Sequence, residues 1–235
     1  MATTPSFSEP TLYTVSDLKS DPSLVTQITE LVNDAFSRSK KSDLVKWRQG
    51  EQRRFPNDDL YFDMLGTEGV IAVICDITEE KRKVVAVASA VPWKGGWNKE
   101  GAGVEEGWEV KAVAVDGDTR YMRRGLAVQL YAFLEQHLIF ESKQLGVSTI
   151  GRRFNSTDRL TLWILAAECI NGPYWRRRGY ELVRQEIAEP PTWGVLTSFS
   201  MIVLRKDIPF ELAETELSPV AKKVDASARQ GVVVN

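Results

Sequence analysis

The chain has 235 residues, 43% hydrophobic and 26% charged, enough apolar material for one ordinary globular domain with modest extensions. Its formal net charge of −2 supplies no global basic field for nucleic acid or an anionic membrane, although arginines cluster at Arg123-Arg124, Arg152-Arg153 and Arg176-Arg177-Arg178. With a single histidine, His137, a histidine-based zinc site or a Ser-His-Asp triad would have to rest on one residue, and its helical spacing from Leu130, Phe133 and Leu134 reads as packing.

The two cysteines, Cys75 and Cys169, lie in apolar segments and read as buried free thiols. The opening MATTPSFSEP lacks the regions of a signal peptide, and no apolar run reaches membrane-spanning length. The expectation is a soluble, cytoplasmic protein without a metal, a membrane or a nucleic-acid partner.

After a flexible leader over residues 1–10, Thr11–Val15 predicts a short strand. Asp21-Pro22 is an N-cap followed by proline at the first helical position, and the apolar spacing from Leu24 to Phe36 predicts a helix over Pro22–Ser39. A second helical region is expected near Ser42-Asp43, using Leu44, Val45 and Trp47, with a short helical turn over Asp59–Leu65. Val70–Ile77 and Val84–Val91 are valine-rich and separated by a charged turn, which predicts an antiparallel hairpin. Pro92–Gly107 is a loop carrying Trp93 and Trp97. Its Gly101-Ala102-Gly103 precedes a strand instead of following one, so it is not a dinucleotide-binding fingerprint.

Val110–Val115 predicts a strand that runs into a loop with Arg120, Arg123 and Arg124, turns at Gly125 and enters a long amphipathic helix ending near Ser142. Free N–H groups and the helix dipole make the start of that helix a place to hold an anion. The first turn, Leu126 to Gln129, brings no carboxylate of its own. Leu145–Arg159 reads as a connecting loop. The continuous apolar run Leu160–Ala167 reads as a strand buried on both faces, parallel to the first through a crossover helix. Asn171-Gly172-Pro173 breaks the chain, Tyr174–Arg178 forms a short helix ended by Gly179, and Tyr180–Ile187 and Val195–Leu204 are the last strands, joined past Trp193. The polar tail over residues 211–235 is expected to be extended or disordered.

Val113-Ala114-Val115 leading to Arg123-Arg124-Gly125-Leu126-Ala127, together with Tyr174-Trp175-Arg176-Arg177-Arg178-Gly179-Tyr180, resembles the GNAT superfamily of acyl-CoA-dependent N-acetyltransferases. The resemblance covers roughly Leu12–Asp207. It implies a single α/β domain over residues 11–210, built on a mixed central sheet of about seven strands. Helices would cover both faces, with a splay between the fourth and fifth strands. It also implies acetyl-CoA as co-substrate, its pyrophosphate wrapped by backbone amides of a loop in which Gly125 and Ala127 match the family pattern. Met122 stands at the pattern's Gln/Arg position. Arg120, Arg123 and Arg124 would flank the phosphates and Leu126 would open the helix. Val113, Ala114 and Val115 would face Leu165–Ala167 as the lips of the splay that takes pantetheine. Asn171 would either meet pantetheine or cap the short helix.

Glu109 stands where family members often place a general base, a task suited to a partly desolvated carboxylate with a raised pKa. The other readings are an exposed strand-end glutamate paired with Lys111 or the substrate loop, and a residue that orients the substrate. The family tyrosine that protonates the departing thiolate lies four residues before the closing glycine, which here is Trp175. Tyr174 is rotated from that position by about 100°, so it serves as the acid only if the backbone shifts locally, and otherwise packs. Trp93, Trp97 and Trp193 either wall an apolar acceptor or pack the loops.

The resemblance implies transfer of an acetyl or short acyl group to a primary amine, a small molecule or amino-acid derivative, by direct attack in a ternary complex. A protein lysine or N-terminal acetyltransferase and a non-catalytic acyl-CoA-binding module are the alternatives. A nucleic-acid binder would need a coenzyme A-reversible, salt-dependent affinity. Either a monomer or a homodimer is compatible with the sequence.

Overall fold

The computed structural model describes residues 4–48, 50, 53–148 and 159–210. The order begins β1 (Thr11–Thr14), α1 (Val15–Lys19), α2 (Pro22–Lys40), α3 (Asp58–Leu65), β2 (Val70–Asp76) and β3 (Lys83–Pro92). It continues with β4 (Trp108–Val115), α4 (Leu126–Ser148), β5 (Arg159–Ala167), α5 (Glu168–Arg176), β6 (Glu181–Ala188) and β7 (Phe199–Pro209). The strands form one seven-stranded sheet in the order β1-β2-β3-β4-β5-β7-β6. Neighbours are antiparallel except β4 and β5, which run parallel. This is the expected mixed sheet, and helices cover both faces.

On one face, Ile28 and Val32 of α2 and Tyr61 and Leu65 of α3 pack on Val87 and Val91. On the other, Leu126, Leu130 and Leu134 of α4 pack on Ala72, Ala86 and Ala88, small residues that let the helix approach the sheet. The caps read from the sequence form: the Asp21 side chain accepts from the Leu24 N–H with Pro22 at the helix start. No described helix is long and apolar enough to cross a membrane.

Several elements differ from the sequence reading. The first strand stops at Thr14, whose side chain caps the five-residue helix α1, so Val15 is helical. Phe7, in the expected leader, pairs with Asp76, and the Ser8 N–H donates to the Cys75 carbonyl, which ties this part of the leader to β2. No helix forms over Ser42–Trp47. There the Lys46 carbonyl and the Arg48 N–H bond to Leu196 and Gly194, which is incompatible with a helical ladder. Leu44 and Val45 are left 61% and 82% exposed, and Trp47 alone is buried. Helix α4 runs on through Ser148, past the expected end at Ser142 and into the expected loop, of which residues 149–158 lie outside the described residues. The expected tail also lies outside them.

The break expected at Asn171-Gly172-Pro173 is absent, because α5 starts at Glu168 and carries Pro173 inside it. Proline removes one N–H from the ladder, and the Pro173 carbonyl still accepts from Arg177. Cys169 is consequently exposed and Cys75 half-buried, both as free thiols.

Candidate functional site

Strands β4 and β5 share backbone pairing only at Trp108↔Leu162 and Glu109↔Trp163. Beyond that point β5 continues against β7 to Ala167, and β4 continues against β3 to Val115. The two parallel strands therefore part, with Val113–Val115 and Leu165–Ala167 on either side of the gap. The cause is local. The β3–β4 register slips between Val87 and Ser89, where β4 carries an extra residue and Ala112 adopts φ 49°. A bulge of this kind bends its strand and increases its twist. Arg38 of α2 holds the end of the bent strand, donating to the Val115 carbonyl at 2.6 Å.

The loop leaving β4 enters α4 through two residues in the left-handed region, Arg123 (φ 58°) and Gly125 (φ 79°). The Gly125 carbonyl accepts from Val128 and Gln129, while the N–H groups of Arg123, Arg124, Gly125, Leu126 and Ala127 have no acceptor among the described residues. A Cβ built on Gly125 would meet nothing within 4 Å, so the turn faces open space. Unpaired amides converging at a helix start, with no acidic side chain in the first turn, fit a phosphate group. Leu126 contributes only its amide, because its side chain is 2% exposed core. Arg123 and Arg124 are exposed beside the turn. Arg120 is engaged elsewhere. Its guanidinium pairs with Asp118 at 3.1 Å and lies over the Tyr121 ring, beside a smaller cavity that contains Asp76. There Tyr121 donates to Asp76 at 2.8 Å; burial, then that carboxylate, pushes the phenol up to about 12.

Along the gap, from Glu109 at the last β4–β5 pair to Leu165–Ala167 on its β5 side, lies a cavity of about 450 Å³, in the size range of small-ligand sites. Glu109 and Lys111 of β4 line it, projecting from the same face of the strand. The Glu109 side chain is 5% exposed and takes a hydrogen bond from Lys111 Nζ at 3.0 Å, as a buried carboxylate requires. The pairing with Lys111 and a place in the cavity wall therefore both hold for Glu109. Arg53 and Arg54, from the segment ahead of α3, form the facing wall. Arg54 is open to solvent by area, although its guanidinium is crowded against the Phe36 and Phe55 rings at 5.7 and 5.5 Å. Burial of the guanidinium lowers its pKa and the Glu109 charge opposes the shift; Arg54 nonetheless lines the cavity.

Asn171 also lines the cavity. Its Oδ1 is buried with no partner, and the cap of α5 is Ala167 without a side-chain bond, so Asn171 is not a cap. Trp97 and Trp193 meet edge to face at 5.8 Å in the cavity wall. Trp93 lies outside that wall. It stacks on Trp163 at 4.8 Å and donates to Glu105, so it holds the loop. Tyr174 is likewise outside the wall, against Trp175 and under Arg178, and its hydroxyl has no hydrogen-bond partner among the described residues. Trp175 is core, 5% exposed.

Arg53, Arg54, Phe36 and Ile170 were not singled out as site residues from the sequence. The paired arginines were visible as charge, but the chain between Trp47 and α3 has no periodicity that would place them. Lys40 was also missed. It is buried behind the wall, donates to the Trp193 carbonyl, and sits 4.0 Å from the Phe36 ring centre. Burial, and then the Arg54 charge, lower its pKa to about 8. Among the described residues no group of three or more His, Cys, Asp or Glu side chains could hold a metal ion.

No family model matches the sequence, and no curated protein matches it. Solved structures do match. A GNAT superfamily phosphinothricin acetyltransferase from Sinorhizobium meliloti, in complex with acetyl-CoA, is 13% identical and superposes with a TM-score of 0.50 over 88% of this chain and 95% of its own. A putative acetyltransferase from Salmonella typhimurium with acetyl-CoA is 16% identical, with a TM-score of 0.48 over 88% and 98%. The ribosomal-protein-S18-alanine N-acetyltransferase of Escherichia coli is 13% identical, with a TM-score of 0.48 over 87% and 97%. With its seven-stranded order, the single parallel pair β4–β5 and the splay between them, the chain has the fold of the GNAT superfamily acetyltransferases.

Proposed function

We propose that this chain is an acyl-CoA-dependent N-acetyltransferase that acetylates a primary amine within a ternary complex. The observation that carries the reading is the gap between β4 and β5, with unpaired amides at Gly125 beyond it and a cavity along it that Glu109 and Leu165–Ala167 both line. The chain's residues fit coenzyme A: the turn at Arg123–Ala127 would hold its phosphates, and the free edges of Val113–Val115 and Leu165–Ala167 its amide-bearing arm. Bound there, acetyl-CoA would supply an electrophilic thioester carbonyl, to which the neutral amine would form a C–N bond as the C–S bond breaks; the second proton shed by the nitrogen would balance the one the departing thiolate takes up as free thiol. Glu109 would take the first proton, which the bound ammonium must lose before its nitrogen can attack, and pass it to solvent through the cavity. Holding both reactants in one gap removes most of the entropic cost of their meeting. Arg123 and Arg124 add positive charge beside the phosphates.

The test is release of free thiol from acetyl-CoA with a panel of amines, alongside calorimetry with coenzyme A. Amine-dependent thiol release supports the reading; no coenzyme A binding removes it. Binding without turnover on any small amine or peptide would favour a non-catalytic acyl-CoA-binding module, a reading supported by Met122 at the loop and by Tyr174 lying outside the cavity wall.

A further inference from the structure

The charges around the cavity are unbalanced for a simple amine acceptor. Among the described residues, Arg53, Arg54 and Lys111 line it against one carboxylate, Glu109, which Lys111 pairs at 3.0 Å. Neither Arg53 nor Arg54 has an ion-pair partner among the described residues. An ammonium ion entering this space meets net positive charge. That field favours loss of the ammonium proton, which the chemistry needs, but it works against binding. An acceptor that brings its own anion to the arginine wall escapes the conflict.

The arginines line the cavity together with Glu109, which stands six residues upstream of Val115 along β4, roughly 20 Å at ~3.3 Å per residue, while the amide turn lies beyond Val115. A planar guanidinium flanked by aromatic rings and lining a cavity is suited to a carboxylate. The neighbouring wall is apolar: Phe36, Ile170, Trp97 and Trp193.

Resting on the acetyltransferase reading above, we infer that the acceptor is a small primary amine that also carries a carboxylate. Its amine sits at Glu109, its carboxylate at Arg54, and its apolar body against Trp97 and Trp193. This is the chemistry of a free apolar or aromatic amino acid. It disfavours a peptide N-terminus, whose nearest carbonyl is a neutral amide.

The test is calorimetric binding to the full chain, without acetyl-CoA, of L-phenylalanine and L-phenylalanine amide, which differ only in the carboxylate. L-phenylalanine should bind at least tenfold more tightly. Arg54→Gln should bring its affinity down to that of the amide, and Arg54→Lys should restore part of the difference. Equal binding of the two probes by the wild type overturns the inference. So does an Arg54→Gln variant that weakens both probes alike, or one that weakens coenzyme A as much as L-phenylalanine, which would make the arginine a donor ligand. Failure of the two proposals is distinguishable. Turnover with uncharged-tail amines but no carboxylate preference keeps the acetyltransferase and removes this acceptor. Carboxylate-dependent binding without coenzyme A affinity does the reverse.

Discussion

Glu109 in the cavity wall and Lys40 behind it answer burial in opposite ways. Glu109 is buried with a cation at 3.0 Å, so its charge is compensated, and it lines the cavity. Glu109→Gln keeps the shape and removes the base. Turnover should fall about 100-fold or more, the usual scale for a general base, while coenzyme A affinity stays within twofold. Unchanged turnover would take Glu109 out of the mechanism. Lys40 is buried with only a carbonyl and aromatic faces for company, and its pKa falls to about 8 against an unfolded value of about 10.4. Below pH 8 the buried ammonium is a full cost to folding. Between about pH 8 and 10.4 the unfolded chain binds more protons, so this group's contribution to stability rises with pH. Lys40→Met should therefore compare better with the wild type at pH 7 than at pH 10. Urea unfolding at the two pH values measures this, and a pH-independent difference between the proteins would show that the charge is not confined as described.

At the scale of elements, the site depends on two short departures from regularity, and these set the limit on what could be read in advance. Helix α2, strands β2, β3 and β4, and the start of α4 were legible because their apolar residues repeat at the spacing of their own element. The splay was expected only through the family resemblance, since nothing in Lys111-Ala112-Val113 marks Ala112 as the residue that would take φ 49°. Pro173 looked like a stop and proved to be helix interior, because one missing N–H is tolerated in a helix packed on β5 and β7. The paired arginines ahead of α3 gave no positional signal at all. Gly125 is the other departure, and its φ of 79° leaves only glycine unstrained there. Gly125→Ala should cost about 1 kcal/mol of stability from the left-handed backbone alone. Gly125→Glu should show that loss and, in addition, a much larger drop in coenzyme A affinity, because its carboxylate competes for the open amides. Equal affinity for coenzyme A in Gly125→Glu and Gly125→Ala would move the phosphate site elsewhere.

Across the whole molecule, one wall of the cavity comes from a loop that reaches from the middle of the sheet to its edge. The segment between β3 and β4 carries Trp97, and it is held at the far edge strand β6 by Arg184. That guanidinium bonds Glu105 at 2.7 Å, Glu100 at 2.6 Å and the Gly95 carbonyl at 3.2 Å, and Asn98 of the same loop reaches Glu186. Because the clamp is three strands away from β4 in the sheet, its loss should be felt in the cavity without touching either reactant. Arg184→Ala should lower stability by about 1–2 kcal/mol, a range reduced because the pair is 22% and 19% exposed. It should also raise the KM for the acceptor several-fold as Trp97 leaves Trp193, while coenzyme A affinity holds. The stability difference has a pH signature. Hydrogen bonds from Arg184 hold the Glu105 carboxyl below its ordinary value. The clamp's contribution is thus complete above the unfolded glutamate pKa of about 4.3 and fades as pH falls through the lower folded value. Wild type and Arg184→Ala should differ clearly in urea midpoint at pH 7, and the difference should shrink progressively as pH falls below about 4.3. Limited proteolysis at pH 7 should cut Arg184→Ala faster within Pro92–Gly107. If the cleavage rates and acceptor KM values match those of the wild type, the loop is held by the Trp93–Trp163 stack instead, and Arg184 is a surface ion pair with no bearing on the site.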